Sequence, residues 1–268
     1  MESVKKYNNI VLFTNGAIGD FLMGALCAGA AAEKIKGSNV TILTPRNASI
    51  FRDLFSAYPN VQIYEANRRH FSSLVLFVVR VLWQRNLVIN KMVFKNIPFH
   101  TRVFARLLTM RSGSTYVHFA REGTSDERAE KRTVAFDYHR LVYENLVRLF
   151  NTQNLGISSH IPDFHFVHDP NILERYGLTR SMYVVIHPCA FSASRSLPAA
   201  RWARLLEYVA TNFPDVKIVI TGSKQDSHFI NKISEVLPPS IPFINLSGKP
   251  SMTELANIIY GARGYIGV

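Results

Sequence analysis

Residues 10–20 read IVLFTNGAIGD, an apolar stretch of strand length that enters a turn with two glycines and ends on a carboxylate. Glycine permits positive φ and a close approach of the backbone to a ligand, so Gly16 and Gly19 predict a tight turn after the strand. The apolar residues that follow predict a helix over 21–36. Asp20 therefore stands where a new helix has spare N–H groups, and it is either an N-cap or a candidate catalytic base.

Strand-length and helix-length segments alternate from this point through the first half of the chain. The pattern predicts strands at 9–14, 39–43 and 61–64, with helices at 21–36 and 48–57 between them. This βαβαβ order predicts a parallel sheet. Further helices are predicted at 72–84, 98–109 and 134–151, and further strands at 87–90 and 115–120.

The alternation restarts after residues 152–171, whose glycine and two prolines predict a crossing between two domains. The predicted domains, 1–160 and 161–268, are each a doubly wound parallel sheet of the α/β class. The second has predicted strands at 182–187, 216–221, 243–246 and 264–268, and helices at 199–212, 225–237 and 252–261. Ligands of such sheets bind beyond the carboxyl ends of the strands, so one cleft is expected to be lined by the loops 15–20, 188–196, 222–226 and 247–250.

The charge of the chain is uneven. Its formal net charge is +12, and residues 66–111 contain nine Lys or Arg side chains and no Asp or Glu. Aromatic residues alternate with these bases, which is typical of a surface for anionic lipid headgroups or a phosphorylated glycolipid, and also of a solvated helix face beside core aromatics. No nucleic-acid-binding motif accompanies the charge, so no nucleic-acid partner is expected.

Other classes of protein are disfavoured by their missing motifs. Residues 16–19 lack the third glycine of a dinucleotide fingerprint, and Lys249 follows no glycine-rich loop, which argues against a dehydrogenase and an NTPase. The nine histidines and two cysteines have no metal-ligand spacing, so neither a metal nor another cofactor is expected. Two cysteines and the lack of a signal-peptide pattern favour a cytoplasmic location.

Four motifs, in a fixed order, resemble those of glycosyltransferase family 9, the lipopolysaccharide heptosyltransferase family. The first is G-x-I-G-D followed by an apolar helix, the second H-P-G-A followed by a basic residue, a proline and R-W, the third a strand ending in T-G, and the fourth N-L-x-G-K-x-S-L-x-E-L. In this sequence they are Gly16 to Asp20, His187-Pro188-Cys189-Ala190 with Arg195, Pro198, Arg201 and Trp202, then Thr221-Gly222, and residues 244–255.

The resemblance implies a GT-B fold, in which two Rossmann-like domains face a cleft, the first binding the acceptor and the second the nucleotide sugar. It implies a metal-independent, inverting transfer of a heptose-like sugar from a nucleotide-diphosphate donor such as ADP-heptose to a lipopolysaccharide-core or related glycolipid. The protein is expected to act in the cytoplasm, with peripheral contact to the inner membrane surface.

The resemblance also implies roles for single residues. Asp20 would be the catalytic base, and Arg195 would stabilise the leaving diphosphate, with an exposed loop charge as its alternative role. The remaining donor-site residues would be His187, Ser192, Ser194, Gly222, Asp226, Lys249 and Pro250, of which Asp226 would hold the ribose or merely favour a helix start and Lys249 could equally be a turn lysine. Arg102 and Arg106 are the candidate acceptor-binding residues.

The sequence departs from the family pattern at three places. Cys189 replaces a common glycine, Leu197 replaces a frequent tryptophan, and residues 264–268 match a strand that in relatives leads into a D-[ST]-G-x-x-H loop. The second domain is therefore expected to be incomplete and the chain to turn over poorly. Two alternatives stay open: a weak or inactive GT-B remnant that binds an anionic glycolipid or polyanion, and another nucleotide-sugar enzyme such as an epimerase.

Overall fold

The structure is a computed structural model that describes residues 7–14, 18–35, 38–65, 71–90, 105–110, 113–119, 133–134, 137, 139–190 and 195–268. The chain divides into two compact units, Met1–His165 and Phe166–Val268, here called the first and the second unit. The sequence predicted this boundary after residue 160. Each unit is built around a parallel sheet, which confirms the α/β class.

The first unit has a six-stranded sheet in the order β3-β2-β1-β4-β5-β6, and every neighbouring pair is parallel. The strands are β1 Asn9–Phe13, β2 Asn39–Thr44, β3 Val61–Glu65, β4 Asn86–Asn90, β5 Thr115–Phe119 and β6 Thr133–Val134. The helices are α1 Ile18–Lys34, α2 Ala48–Leu54, α3 Phe71–Val81 and α4 Val142–Asn151. Residues 105–108 form one further helical turn.

Alternate residues of the central strands cover the two faces of this sheet. Val11 and Phe13 of β1 pack with Val88 of β4 against the buried Phe77 and Val81 of α3. On the intervening positions Ile10 and Leu12 are fully buried as well, so both faces of β1 are covered. A strand buried on both faces explains the continuous apolar run in the sequence.

A buried polar network ties the amino ends of β1, β2 and β4 together. Asn9 donates its side-chain amide to Asn86 Oδ1 at 2.8 Å and accepts from the Thr41 hydroxyl at 2.9 Å. The Asn86 amide in turn donates to the carbonyl oxygens of Val81 at 2.8 Å and Leu108 at 3.1 Å. Each group would be costly to bury alone, and their mutual bonds fix the strand register.

The predicted helix over 134–151 is wrong in its first half. Val134 pairs with Phe119 in the sheet, and α4 begins only at Val142. Asn145 is the physical reason, because its side-chain amide donates to the carbonyl of Asp137 at 2.8 Å while its Oδ1 accepts from the Asp137 N–H at 2.9 Å. These side-chain bonds hold a turn before the helix in place of a further helical turn.

The second unit has a four-stranded parallel sheet in the order β10-β7-β8-β9. The strands are β7 Tyr183–His187, β8 Lys217–Ile220, β9 Ile244–Asn245 and β10 Gly264–Gly267. The helices are α5 Asn171–Arg175, α6 Ala199–Asn212, α7 Ser227–Val236 and α8 Met252–Gly261. Among the residues that the structure describes, no helix of either unit is long and apolar enough to cross a membrane.

Two apolar layers enclose this second sheet. One packs Ile186, Ile218 and Ile220 against α6 and α7, with Trp202 of α6 only 1% exposed at its centre. The other packs the intervening residues of β7 and β8 against α5 and α8. The Arg-Trp pair of the second motif therefore includes a core residue, and its tryptophan has a structural task.

Replacement of Asn86 by alanine tests the polar network. Asn86→Ala removes the acceptor of the Asn9 amide and one hydrogen bond to each of three carbonyl groups, those of Val81, Gln84 and Leu108, so the free energy of unfolding is expected to fall by about 2 to 3 kcal/mol. Urea denaturation followed by circular dichroism measures this. The control is Asn212→Ala, which removes an exposed amide bond to the Tyr208 carbonyl and is expected to cost less than about 0.5 kcal/mol. Equal losses in the two variants would contradict the role of the network.

Candidate functional site

The topology of the first unit has its switch point beside β1. The chain proceeds from β1 to β2 and β3 on one side, and β4 lies on the other side. A crevice is expected at the carboxyl ends of β1 and β4, where connections leave in opposite directions. Because α1 begins at Ile18, Asp20 lies in the first turn of the helix that follows β1, where the helix dipole favours a negative charge.

The glycine turn differs from its prediction at Gly19. Gly19 was expected to belong to the turn before the helix, but it is already helical and is absent from the positive-φ glycines of the described residues. The helix simply starts earlier than residue 21. A Cβ atom at Gly19 would meet no atom of the described residues within 4 Å. Gly16 lies outside the described residues.

The candidate acceptor residues lie in the basic segment of the first unit. Arg106 is exposed on the helical turn 105–108. Arg102 lies outside the described residues, so its role stays a prediction.

The switch point of the second unit lies between β7 and β10. β7 is followed in the sheet by β8 and β9 on one side and by β10 on the other. His187, the last residue of β7, is the register partner of Gly267 in β10. The first residue of the second motif therefore sits where a ligand of such a sheet is expected.

The environment of His187 favours its neutral form. Burial lowers the pKa of His187 below its ordinary value, and this effect outweighs the Asp226 charge and a backbone hydrogen bond with Cys189, which both raise it. Its Nδ1 lies 3.2 Å from the Thr221 hydroxyl, a partner from the neighbouring strand end. A neutral imidazole can accept or donate one hydrogen bond without adding charge to the site.

The loop after β7 returns to the same strand end. The Ala190 N–H donates to Ser196 Oγ at 3.0 Å, which holds the two ends of the loop together. Arg195 is adjacent to this bond and is exposed, so its guanidinium is available near the carboxyl end of β7. Ser192 and Ser194 lie outside the described residues.

Asp226 has a structural task in the 3₁₀ turn Lys224–Asp226, which leads directly into α7. Its Oδ2 accepts from the Ser223 N–H at 2.6 Å and from the Ser223 hydroxyl at 2.7 Å, which forms a capping arrangement. The alternative role, a carboxylate that favours a helix start, is therefore present in the structure. A carboxylate has about four acceptor sites, so these two bonds leave capacity for a ligand.

The thiol of Cys189 is packed against this carboxylate. Cys189 is buried, and its burial, followed by the charge and a hydrogen bond of Asp226, raises its pKa to about 12. The thiol is thus protonated at physiological pH and is a poor nucleophile or metal ligand. Cys189 fills space beside Asp226 at the position of the family's glycine.

The loops after β8 and β9 are in contact through Gly248. The Gly248 N–H donates to the Gly222 carbonyl at 2.8 Å, and Gly248 has a φ of +68°. A Cβ atom there would lie 2.8 Å from Lys224 Cα, closer than real Cβ atoms approach a backbone. Only glycine fits this approach, which brings the exposed Lys249 and the partly buried Pro250 beside the 222–226 loop.

Three residues that hold these loops were not among the predicted site residues: Thr221, Asn245 and Gly248. Asn245 Oδ1 accepts from the Ser247 N–H at 3.0 Å and from the Ser247 hydroxyl at 2.7 Å, which shapes the turn before Gly248. Their position in the sequence could have identified them, because each lies at or just beyond the end of a predicted strand. In the described part of the chain, no three His, Cys, Asp or Glu side chains cluster in a way that could hold a metal ion.

The structure thus gathers the described donor-site candidates of the second unit at one edge of its sheet. These are His187, Arg195, Gly222, Asp226, Lys249 and Pro250, all at the carboxyl ends of β7, β8 and β9. The candidates Gly19, Asp20 and Arg106 belong to the first unit.

The chain is similar to solved structures of glycosyltransferases. A family 9 glycosyltransferase from Veillonella parvula matches with a TM-score of 0.71 and 15% identity, over 97% of this chain and 75% of that chain. The ADP-heptose lipopolysaccharide heptosyltransferase II of E. coli matches with a TM-score of 0.66 and 14% identity, over 97% and 78%. E. coli heptosyltransferase WaaC with ADP matches with a TM-score of 0.61 and 17% identity, over 97% and 80%.

At these identities the likeness shows the fold, and the chain has the GT-B type fold of these enzymes. No protein-family model matches the sequence. No curated protein matches it either.

The close approach of Gly248 is testable by substitution. Gly248→Ala combines positive φ with a backbone clash, and we expect it to lower the free energy of unfolding by more than about 2 kcal/mol. The matched control is Gly177→Ala, since Gly177 has a φ of +64° but open space around its Cβ position, and it is expected to cost about 1 kcal/mol. Urea denaturation of both variants gives the difference. Equal losses of stability in the two variants would show that the close contact with Lys224 does not matter for stability.

The partly buried His187 predicts a pH-dependent stability. Because its folded-state pKa is lowered, the unfolded chain binds the proton more readily, so its contribution to stability is complete above about pH 6.5 and declines as the pH falls below that value. We expect the loss of stability between about pH 7.5 and about pH 5.5 to be smaller in His187→Gln than in the unchanged protein. Urea unfolding at both pH values measures it. A variant of the exposed His228, His228→Gln, should keep the original pH dependence.

Proposed function

We propose that this chain is a family 9 glycosyltransferase that transfers a heptose-like sugar, with inversion, from a nucleotide-diphosphate donor to a lipopolysaccharide-core or related glycolipid. The observation that carries the proposal is the second unit's site. Motif residues far apart in the sequence, His187, Gly222 and Gly248, meet at the carboxyl edge of one parallel sheet. That edge is where doubly wound sheets bind nucleotides.

The charge at this edge suits a diphosphate. Arg195 and Lys249 are exposed cations there, whereas His187 is kept neutral by burial and Asp226 is bonded to Ser223. Arginine can bind two phosphate oxygens through parallel N–H groups. The neighbouring enzyme structures include one with ADP and one with ADP-2-deoxy-2-fluoro heptose, which supports an ADP-sugar as the donor.

The proposed reaction needs one base and one stabilised leaving group. Asp20 accepts the proton of an acceptor hydroxyl, whose oxygen forms a bond to the anomeric carbon while the bond from that carbon to the diphosphate oxygen breaks. Attack from the face opposite the leaving group inverts the configuration. The negative charge that develops on the diphosphate is met by Arg195 and Lys249, with no metal needed.

For this activity Asp20 and the second unit's loops must face a shared cleft, and that arrangement is part of the proposal. The acceptor is an anionic glycolipid, with Arg102 and Arg106 as its binding residues, and the work takes place in the cytoplasm at the inner membrane surface. The basic segment 66–111 supports an anionic acceptor because it contains no Asp or Glu.

Two substitutions test the roles of base and leaving-group stabiliser. Asp20→Asn is expected to reduce transfer about 100- to 10,000-fold with unchanged nucleotide affinity. Arg195→Gln is expected to weaken ADP binding about tenfold to one hundredfold, the value of a charge-assisted hydrogen bond. Calorimetry with ADP and a transfer assay with ADP-heptose and a heptose-free glycolipid measure the two effects. The controls are Glu33→Gln on α1 and Arg204→Gln on α6, both exposed.

Two other outcomes would each indicate a different function. A binding remnant would show no sugar transfer but would bind the glycolipid in a salt-sensitive way. That binding would be unchanged in Asp20→Asn and would weaken when the charges of Arg102 and Arg106 are reversed. Conversion of the sugar nucleotide to an epimer without any acceptor would indicate an epimerase. Loss of ADP binding in the control variants as well would show that the effect is one of folding.

A further inference from the structure

Helix α3 turns an apolar side outward. Leu76 and Val79 are each 63% exposed, and Trp83, just after the helix, is 74% exposed. Their spacings of three and four residues place them on one side of a helix. The opposite side is also apolar, since Phe77 and Val81 are buried against the sheet. Burial in the core therefore explains only one of the two apolar sides of α3.

A neighbouring element continues the exposed apolar side. Ala105 and Leu108 of the helical turn 105–108 are buried in the same cluster as Phe77 and Val81. The Asn86 amide donates to both the Val81 and the Leu108 carbonyl oxygens, so the two helical ends lie side by side. Trp83 and Met110 each follow one of these ends by two residues, and Met110 is 77% exposed.

The sequence segment that contains these side chains is basic. Arg80, Arg85 and Arg106 are exposed on the same two elements and the strand start between them. No Asp or Glu occurs anywhere in residues 66–111. Exposed arginines in a segment without acidic residues attract a polyanionic surface, and they can keep their head groups in water while their stems lie along apolar material.

We propose that this α3 face docks on an anionic lipid bilayer. It is defined by Leu76, Val79, Trp83 and Met110 together with Arg80, Arg85 and Arg106. Aliphatic side chains and a tryptophan enter the boundary between headgroups and acyl chains, and the arginines bind the lipid phosphates. Exposed aliphatic side chains distinguish this surface from a nucleic-acid groove, and the lack of Asp and Glu in residues 66–111 distinguishes it from a mixed-charge protein interface.

The docking surface extends the proposed acceptor side but needs no sugar transfer, so its test uses lipid alone. The chain has two tryptophans, and Trp202 is buried whereas Trp83 is exposed. Vesicles of phosphatidylcholine with phosphatidylglycerol are expected to shift the emission of Trp83 to shorter wavelength and to protect it from acrylamide. Pure phosphatidylcholine vesicles should produce neither effect, and high salt should reverse both.

Sedimentation with the same vesicles separates the two components of the surface. Arg80→Gln with Arg106→Gln is expected to weaken binding about fivefold for each charge removed, and Leu76→Gln with Val79→Gln should weaken it by at least about tenfold. The matched control on α6 is Arg204→Gln with Tyr208→Gln, where Tyr208 is 61% exposed, and it should bind normally. Thermal melts confirm that each exposed substitution leaves the fold intact.

Three results would overturn the proposal. Equal binding to neutral and anionic vesicles would show that the charge has no role. Unchanged binding in both α3-face variants would place any lipid contact elsewhere. The third result combines two observations: the original chain does not bind vesicles, and it self-associates in analytical ultracentrifugation unless it carries Leu76→Gln with Val79→Gln. It would assign the surface to contact with a second copy of the chain. Absence of transfer activity would contradict only the proposed function.

Discussion

Both units depend on a parallel sheet whose first strand lies in the middle. β1 has β2 and β4 as neighbours, and β7 has β8 and β10. Connections leave such a central strand toward opposite sides, so its carboxyl end is not covered by a crossing helix. This constraint places the first turn of α1 at one such end and His187 at the other, and the proposed chemistry uses both places.

The alternation of elements was predictable because its signals are local. Apolar runs of four or five residues separated by amphipathic segments are typical of parallel strands with crossover helices. The start of α4 was not, because the carbonyl of Asp137 is bound by a side chain, Asn145, that lies within the segment itself. Hydrophobic spacing carries no information on that competition. The strand β6 was not predicted either, because two residues are too few to show a hydrophobic pattern.

The loops that form the candidate site were predictable from the sequence, whereas the hydrogen bonds and close contacts between them were less so. Strand ends and motif order indicated which loops belong together in the second unit, whereas the contact of Gly248 with Lys224 depends on tertiary packing between two such loops. Gly19 shows the converse. Two glycines after a strand predicted a tight turn that includes Gly19, but α1 has already begun at Ile18. Sequence alone does not tell a glycine needed for φ from one that leaves open space.

The acidic residue at the proposed donor site raises a question of electrostatics, because a carboxylate would repel a diphosphate. The structure answers it through Asp226, whose Oδ2 accepts two bonds from Ser223 at the start of α7 and whose side chain also contacts the protonated Cys189 thiol. Donors directed at a carboxylate and the positive end of a helix dipole spread and offset its charge. Arg195 and Lys249 are exposed and carry no such internal partner role in the described structure. The edge can therefore contain an acid for loop geometry and still present a positive surface to phosphate.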